Sequence, residues 1–246
     1  MENAQLIGLS RQVVLRRQLD VVANNLANLN TTGYKRDRMV FEEFVMPTAR
    51  MNEFENRDKR LSFVHDRLTF HEFAPGAITQ TGNPLDVALG GNGYFVVEGE
   101  NGGELFTRAG SFVTNELGEL VTLEGRRVLG EGGPITFSPT DTDITISGDG
   151  TISTSEGVRG QLRVVQFEDE NILKKASASL FSGEGAQAAQ NAQVIQGSIE
   201  QSNVQAVSEI TKMIEVSRAY QSVARMQEQA SQLRQDAIDK LGRADS

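Results

Sequence analysis

The stretch ANNLANLNTTGYKR, residues 23–36, decides the fold, because it marks where a long amphipathic helix has to end. Asn30, Thr31 and Thr32 favour local side-chain hydrogen bonds over helix continuation, and Gly33 can adopt the positive φ that ends a helix. Upstream of this end, apolar residues recur at spacings of four, three, four and three: Leu15, Leu19, Val22, Leu26 and Leu29. That spacing predicts one helix, ending near Leu29, whose stripe packs against another helix.

The same helix carries a second apolar stripe closer to its start. Leu6, Leu9 and Val13 follow helical spacing but are offset from the first stripe. A single partner helix can cover only one of the two stripes. Exposed apolar area of this kind usually marks an interface, so we expect a further partner.

A second long helix is predicted at the other end of the chain. Ser202 and Gln205 form a capping-box pattern, and no Gly or Pro follows until Gly242. As a helix, residues 204–241 would reach roughly 57 Å, which is longer than a cover for a β domain needs to be. Its apolar residues recur at three- or four-residue spacing: Met213, Val216, Tyr220, Val223, Met226, Ala230, Leu233 and Ala237.

The middle of the chain predicts short antiparallel strands. PLDVAL, residues 84–89, alternates apolar and polar residues, and GYFVVEG, residues 93–99, is a short buried run. Turns rich in Gly and Asp separate such runs, as at residues 90–93 and 148–150. From about residue 181 to 203 the chain is rich in Gly, Ala, Gln and Asn, which is too polar for a core.

The sequence therefore predicts an α+β fold. The two long terminal helices are expected to pair as an antiparallel or near-antiparallel coiled coil, with an antiparallel β-rich domain inserted between them. The expected parts are an N-terminal helix (1–33), an extended or irregular excursion (34–76), a β-rich middle domain (77–180), a return linker (181–203) and a C-terminal helix (204–242).

Composition excludes several classes of function. The net charge is −9 and the pI is near 4.9, which disfavours general binding to nucleic acid or anionic lipid. There is no Cys, so disulfides and thiolate metal sites are excluded. No stretch approaches the roughly 20 apolar residues that span a bilayer. The N-terminus does not follow the pattern of a cleaved secretory signal, so any export is expected to use a route without one.

The sequence shows no pattern typical of a catalytic residue, a cofactor site or a metal site. His65 and His71 are six residues apart in an irregular zone, and the pair His71-Glu72 lacks the second His of a zinc protease motif. The glycines at residues 90–93 lead into a strand, whereas a phosphate-binding loop would open a helix. The acidic residues of 141–149 lack the spacing of a calcium loop and are interpreted as turn residues.

The basic cluster that follows the first helix has two interpretations that do not exclude each other. Lys35, Arg36 and Arg38 could complement the negative end of the helix macrodipole. They could instead reach carboxylates on an adjacent subunit.

Four long segments resemble the axial rod and hook proteins of the bacterial flagellum. They are LDVVANNLANLNTTGYKR (19–36), TGNPLDVALGGNGYFVVEG (81–99), FTRAGSF (106–112) and QGSIEQSNVQAVSEITKMIEVSRAYQSVARMQ (196–227). The resemblance runs from the first helix to the last. Two further segments, RRVLGEGGPITF (126–137) and ITISGDGTIS (144–153), look most like those of the proximal rod, with the distal rod as the alternative.

The resemblance implies a structural subunit with no reaction and no cofactor. Such proteins assemble helically, with the terminal helices in the inner wall of a tube that serves as drive shaft and export channel, and with the β domain outside. The implied partners are copies of the chain, the adjacent proximal and distal rod subunits and the flagellar type III export apparatus, with no nucleic acid and no membrane span. The implied location is the basal-body rod, which crosses the periplasm, after export without a cleaved signal peptide.

The assembly interface is expected to lie in two sets of residues that match the family's terminal motifs or the predicted helix stripes. The N-terminal set is Leu15, Leu19, Val22, Asn24, Asn25, Leu26, Asn28, Leu29, Thr32, Gly33, Tyr34 and Lys35. The C-terminal set is Ser202, Asn203, Val204, Met213, Ile214, Val216, Arg218, Tyr220 and Val223.

Two other classes of function fit the sequence less well. An enzyme with a site in the β domain would need an acid pair of defined separation, and the sequence offers none. A secreted adhesin with a trimeric stalk should carry its helical seam in one continuous segment, whereas this seam is split between the two ends.

Overall fold

The computed structural model describes residues 2–45, 62–99, 102–189 and 192–244, and the chain divides into two compact units. The helical unit comprises Met1–Leu26, Asp37–Phe70 and Ala206–Ser246. The β unit comprises Ala27–Arg36 and His71–Gln205. The fold is α+β, with a helix at each end of the chain and a central antiparallel β-rich region.

Two long helices begin and end the chain. Helix α1 spans Glu2–Ala27 and helix α2 spans Ala206–Ala244. Helix α1 ends where the sequence turns polar: Thr31 donates to Asn28 through its backbone N–H (3.2 Å) and through its hydroxyl (3.1 Å). These local bonds replace the next helical turn.

The capping-box prediction at the start of α2 is wrong in position. Helix α2 begins at Ala206, after Gln205, so Ser202 lies outside the first turn. The Ser202 hydroxyl instead accepts a hydrogen bond from Val204 N–H at 3.3 Å. This is a turn within the segment that leads into the helix.

The strands are mostly short. Strands β1 and β2 are longer and pair with each other, and residues 46–61 between them lie outside the described part of the chain, as does the middle of the predicted excursion 34–76. In chain order the strands are β1 (Arg36–Val45), β2 (Ser62–Glu72), β3 (Ile78–Gln80), β4 (Val87–Gly90), β5 (Tyr94–Glu98), β6 (Glu104–Thr107), β7 (Phe112–Thr114), β8 (Leu120–Thr122), β9 (Leu129–Gly130), β10 (Gly133–Pro134), β11 (Thr145–Ile146), β12 (Thr151–Thr154), β13 (Gly157–Gln161), β14 (Val164–Gln166), β15 (Lys174–Lys175), β16 (Leu180–Ser182), β17 (Gln187–Ala188), β18 (Gln193–Gln196) and β19 (Ser198–Glu200).

A six-stranded antiparallel sheet organises the β unit, in the order β15-β16-β6-β5-β14-β17. Smaller antiparallel sheets pair β9 with β10, β7 with β8, β4 with β18 and β3 with β19, and join β11, β12 and β13. The pairs β4–β18 and β3–β19 bring the segment after β2 next to the segment before α2. Residues far apart in sequence therefore become neighbours within the β unit.

Strand β5 is buried on both faces, which explains its continuous apolar run. Phe95 and Val97 face one hydrophobic cluster, and Tyr94 and Val96 face another. In the first cluster the rings of Phe95 and Phe112 meet edge to face, with centroids 5.2 Å apart. Alternation along a single strand thus supplies side chains to two cores.

In the described residues, neither helix is long and apolar enough to cross a membrane.

Candidate functional site

The two terminal helices contact each other inside the helical unit. Val22 of α1 and Val216 and Val223 of α2 are buried. The Asn25 amide donates to the Glu209 carboxylate at 3.3 Å. Far from that contact, a Cβ placed on Gly8 would lie 2.8 Å from the Gln227 side-chain nitrogen, so the two helices also approach closely there.

Asn25 joins three segments of the helical unit. Its side-chain oxygen accepts from Asp37 N–H at 2.9 Å, and its amide nitrogen donates to the Asp37 carbonyl at 2.9 Å. With the bond to Glu209, the amide links α1, β1 and the first turn of α2. Asn25 is 1 % exposed, so these bonds satisfy a polar group that would otherwise be costly to bury.

Each helix also carries an apolar face that the described residues leave exposed. The α1 outer face consists of Leu6, Leu9 and Val13, which are 53 %, 53 % and 60 % exposed. The α2 outer face consists of Val207, Ile210 and Ile214, which are 80 %, 45 % and 48 % exposed. Exposed apolar side chains grouped in this way mark candidate interaction surfaces.

In the β unit, Gly33 lies where only glycine fits. Its φ is +65°, and a Cβ there would overlap the backbone of Arg108 and Ala109. Its N–H donates to the Glu200 carbonyl at 2.8 Å. The turn after α1 is therefore held against the strand that precedes α2.

The next residues of this motif enter a buried ionic cluster formed by Lys35, Glu200 and Arg108. The Lys35 ammonium lies 2.7 Å from one Glu200 oxygen, and Arg108 Nη1 lies 3.3 Å from the other. Lys35 is fully buried, Glu200 is 1 % exposed and Arg108 is 2 % exposed. Gly76 N–H donates to Glu200 at 2.9 Å, and Lys35 also donates to the Ala74 carbonyl at 3.0 Å.

Burial governs the electrostatics of this cluster. It lowers the pKa of the Lys35 ammonium below its usual value, although the Glu200 carboxylate opposes the shift. Burial also raises the pKa of the Tyr94 hydroxyl, which donates to Glu170 at 3.0 Å. The Arg108 guanidinium lies 5.1 Å from the centroid of the Tyr94 ring, so the aromatic face gives the cation a second partner.

Asn203 joins three segments of the β unit, much as Asn25 does in the helical unit. Its side-chain oxygen accepts from Arg36 N–H at 2.8 Å. Its amide donates to the carbonyls of Glu72 at 2.7 Å and Ala74 at 3.0 Å. Arg36 also pairs with the Glu72 carboxylate at 2.7 Å. Lys35 and Arg36 thus bind carboxylates of their own chain.

The residues predicted for the assembly interface fall into three groups by exposure. Buried ones are Val22, Asn25, Gly33, Tyr34, Lys35, Val204, Val216 and Val223. Half-buried ones are Leu15, Leu19, Leu26, Asn28, Leu29, Thr32, Ser202, Asn203, Met213 and Tyr220. Exposed ones are Asn24, Ile214 and Arg218.

The His and Asp residues that the sequence analysis weighed as catalytic or metal-binding residues have structural contacts where the structure describes their side chains. Within the described residues, no group of three or more His, Cys, Asp and Glu side chains could hold a metal ion. The His71 ring packs edge-on against Phe181, with centroids 5.7 Å apart. The Arg159 guanidinium bonds to Asp141 and lowers the pKa of its carboxyl, and Thr151 bonds to Asp149 with the same effect. The side chain of His65 lies outside the described part of the chain.

Sequence reasoning missed three buried charged residues: Arg108, Glu200 and Glu209. A weak signal existed for Glu200. Strand β19 alternates, and its two inward positions, Ser198 and Glu200, are both polar. A strand that turns polar residues inward indicates buried partners for them.

Three family models match the chain. The model of the flagellar hook protein FlgE/F/G D1 domain matches residues 88–154. The model of the flagellar basal body rod FlgEFG protein C-terminal matches residues 195–240, and the model of the flagella basal body rod protein matches residues 6–35. The three matches contain, in the same order, Arg108, Glu200 and Lys35, the residues of the buried ionic cluster.

Full-length relatives agree with these models. The flagellar basal-body rod protein FlgF of Caulobacter vibrioides is 41% identical over 99% of this chain and 99% of its own. FlgF of Mesorhizobium japonicum is 32% identical over 98% of this chain and 99% of its own, and FlgG of Agrobacterium fabrum is 37% identical over 82% and 86%. The chain belongs to the flagellar basal-body rod protein family, which is a family of structural proteins and not of enzymes.

Proposed function

We propose that this chain is a subunit of the basal-body rod that assembles helically through its paired terminal helices. The observation that carries the proposal is that α1 and α2 contact each other on one side and leave apolar faces on the other. A subunit with such faces gains its missing contacts by polymerising around an axis. The proposed partners are copies of the chain and the neighbouring rod subunits.

We infer that α1 and α2 run antiparallel as a coiled coil. Asn25 lies opposite Glu209, and Gly8 lies opposite Gln227. Moving down α1 by 17 residues therefore moves up α2 by 18 residues, as antiparallel helices require. Val22 and Val216 are both buried between these two contacts.

The buried residues of the terminal motifs contribute to assembly indirectly, because they contact their own chain and not a neighbouring subunit. Tyr34 and Lys35 are enclosed by their own β unit, and Asn25 is enclosed in the helical unit. They fix the path of the chain where it leaves each helix, whereas exposed residues such as Ile214 and Arg218 are available to neighbours. The predicted interface set thus divides into residues that hold the subunit's shape and residues that touch other subunits.

Full-length similarity favours the proximal rod over the distal rod. The FlgF relative from Caulobacter vibrioides is 41% identical over 99% of this chain, whereas the FlgG relatives from Agrobacterium fabrum and Bacillus subtilis are 37% identical over 82% and 30% identical over 94%. We propose the basal-body rod as the location and the type III export apparatus, without signal cleavage, as the route. Family membership supports both.

The test is a matched pair of substitutions on adjacent α1 residues. Val22→Asp places a charge in the buried contact between the helices, and Ala23→Asp places the same charge on an exposed site. We expect Val22→Asp to abolish rod assembly and swimming while circular dichroism retains the β signal, and Ala23→Asp to do neither. Normal swimming of the Val22→Asp strain would overturn the proposal.

A further inference from the structure

We propose that the α1 outer face of one copy docks antiparallel against the α2 outer face of a second copy, so that subunits join head to tail. The inference rests on the proposed function, because it names which surfaces of the assembling subunit meet. The occupant of each face is therefore the other face of a neighbouring copy.

The two outer faces have the same spacing and lie opposite the buried side of their helices. Leu6, Leu9 and Val13 are separated by three and four residues, and so are Val207, Ile210 and Ile214. Val13 precedes the buried Val22 by nine residues, and Val207 precedes the buried Val216 by nine. At about 100° per residue, nine residues place two side chains on opposite sides of a helix. The two outer faces of one copy therefore cannot contact each other.

The faces also lie at opposite ends of the helix pair. Gly8 lies opposite Gln227, so the α1 outer face is level with the second half of α2. In this antiparallel register Leu9 is level with about residue 226 of α2, which is about 16 residues, or about 24 Å, from Ile210. Two complementary faces on opposite sides and at different levels form a heterologous contact, which repeats into an open array. The expected displacement between docked neighbours along the helix direction is therefore about 24 Å.

The arrangement of charge favours docking between unlike faces. An exposed arginine follows each face by about one turn: Arg16 after Val13, and Arg218 after Ile214. In an array whose subunits point the same way, like faces would pair in parallel and bring these arginines against their own copies. Antiparallel docking of unlike faces places Arg16 and Arg218 at opposite ends of the contact.

The area of the faces suits a repeated contact more than an isolated dimer. Each face offers three aliphatic side chains, most of them about half exposed. The area that three such side chains can bury is far below the roughly 1,200–2,000 Å² that a stable stand-alone interface buries. Each docking is weak alone and gains strength when a subunit uses both faces at once.

Disulfide trapping tests this register directly, because the chain contains no Cys. The probe is the full-length chain with Leu9→Cys and Ile210→Cys together, and Leu6→Cys with Ile214→Cys as a second pair. A disulfide needs Cα atoms roughly 4.4–6.8 Å apart, so positions about 24 Å apart in one copy cannot close on themselves. Under mild oxidation we expect each pair to give a ladder of covalent oligomers that collapses on reduction.

The controls separate this inference from the proposed function. Leu9→Cys with Leu233→Cys pairs two exposed apolar positions outside the proposed register, and we expect no ladder from it. Sedimentation of the wild-type chain reports assembly independently of any disulfide. If the wild-type chain assembles but the cysteine pairs give no ladder, the docking is overturned and the proposed function stands. The same holds if the Leu9→Cys single variant gives dimers as its main product. A wild-type chain that never associates overturns both.

Discussion

Replacing Glu200 by Gln tests the buried ionic cluster, because this one carboxylate accepts hydrogen bonds from three groups. Lys35 and Arg108 approach it at 2.7 and 3.3 Å, and Gly76 N–H approaches at 2.9 Å. The amide has nearly the same shape but no charge. Two cations are then left in the interior without their counter-ion.

The expected cost follows from this burial. Removing one partner of a buried charge pair typically costs about 3–5 kcal/mol, because the remaining charge loses its compensation. For a unit of roughly 150 residues, each kcal/mol lowers Tm by about 2–4 °C. We therefore expect Glu200→Gln to lower the Tm of the β unit by about 6–20 °C.

The assay is calorimetry together with amide hydrogen exchange, and Glu104→Gln is its matched control. Glu104 pairs with Arg163 at 2.7 Å, but both side chains are about one-third or more exposed. Such a pair contributes about 0–1 kcal/mol. The Gly76 amide should exchange faster in Glu200→Gln alone, because it donates to the altered group.

The reasoning would be refuted if the two Glu→Gln variants lowered Tm equally. A second check uses Lys35→Met in the Glu200→Gln background. Because this change removes a cation that the first one left uncompensated, we expect Tm to recover in part. A further fall equal to that of Lys35→Met alone would show that the two residues act independently.

Three further outcomes can be checked with single substitutions. Gly33→Ala should cost 2 kcal/mol or more, roughly, because φ is +65° and the new Cβ meets backbone; Gly82→Ala, at φ +76° in open space, should cost only about 1 kcal/mol in urea unfolding. Asn25→Ala should cost about 1–3 kcal/mol and deprotect the Asp37 amide in hydrogen exchange, whereas Asn30→Ala, on an exposed site, should not. The folded-state pKa of Asp141 is depressed, so its stabilisation is present above its unfolded pKa near 3.9 and is lost as the pH falls through the folded value. Asp141→Asn should therefore flatten the acid limb of the Tm–pH curve, and an unchanged limb would contradict this.

Local pattern predicted the fold class well, because helices and buried strands have strong periodicities. The seam through Val22 and the run through Val216 and Val223 indicated two terminal helices, and the α+β class is confirmed. The run at residues 93–99 was predicted to be a short buried strand, and the structure adds that its two faces enter two hydrophobic clusters. Helix boundaries were less accurate, since they depend on side-chain hydrogen bonds of single residues such as Ser202.

The buried ionic cluster could not be derived from local pattern. Lys35 and Glu200 are 165 residues apart, and charged residues are usually exposed. Their burial depends on the pairing of β19 with β3 and on the turn at Gly33, which only the tertiary structure brings together. The segments that carry the family resemblance nonetheless contain Lys35 and Glu200. The resemblance therefore indicated which positions matter, and the contacts in the structure show what these residues do.

The pairing of Lys35 with Glu200 also sets an order of events for a chain that is made or delivered from its N-terminus. Ordering the turn after α1 requires a residue that follows 165 positions later. Closing so long a loop is slow, since its entropy must be lost before the contact compensates. We expect this turn to be among the last parts of the molecule to become ordered. The turn would then stay unfolded until the segment that contains Glu200 has been made or delivered.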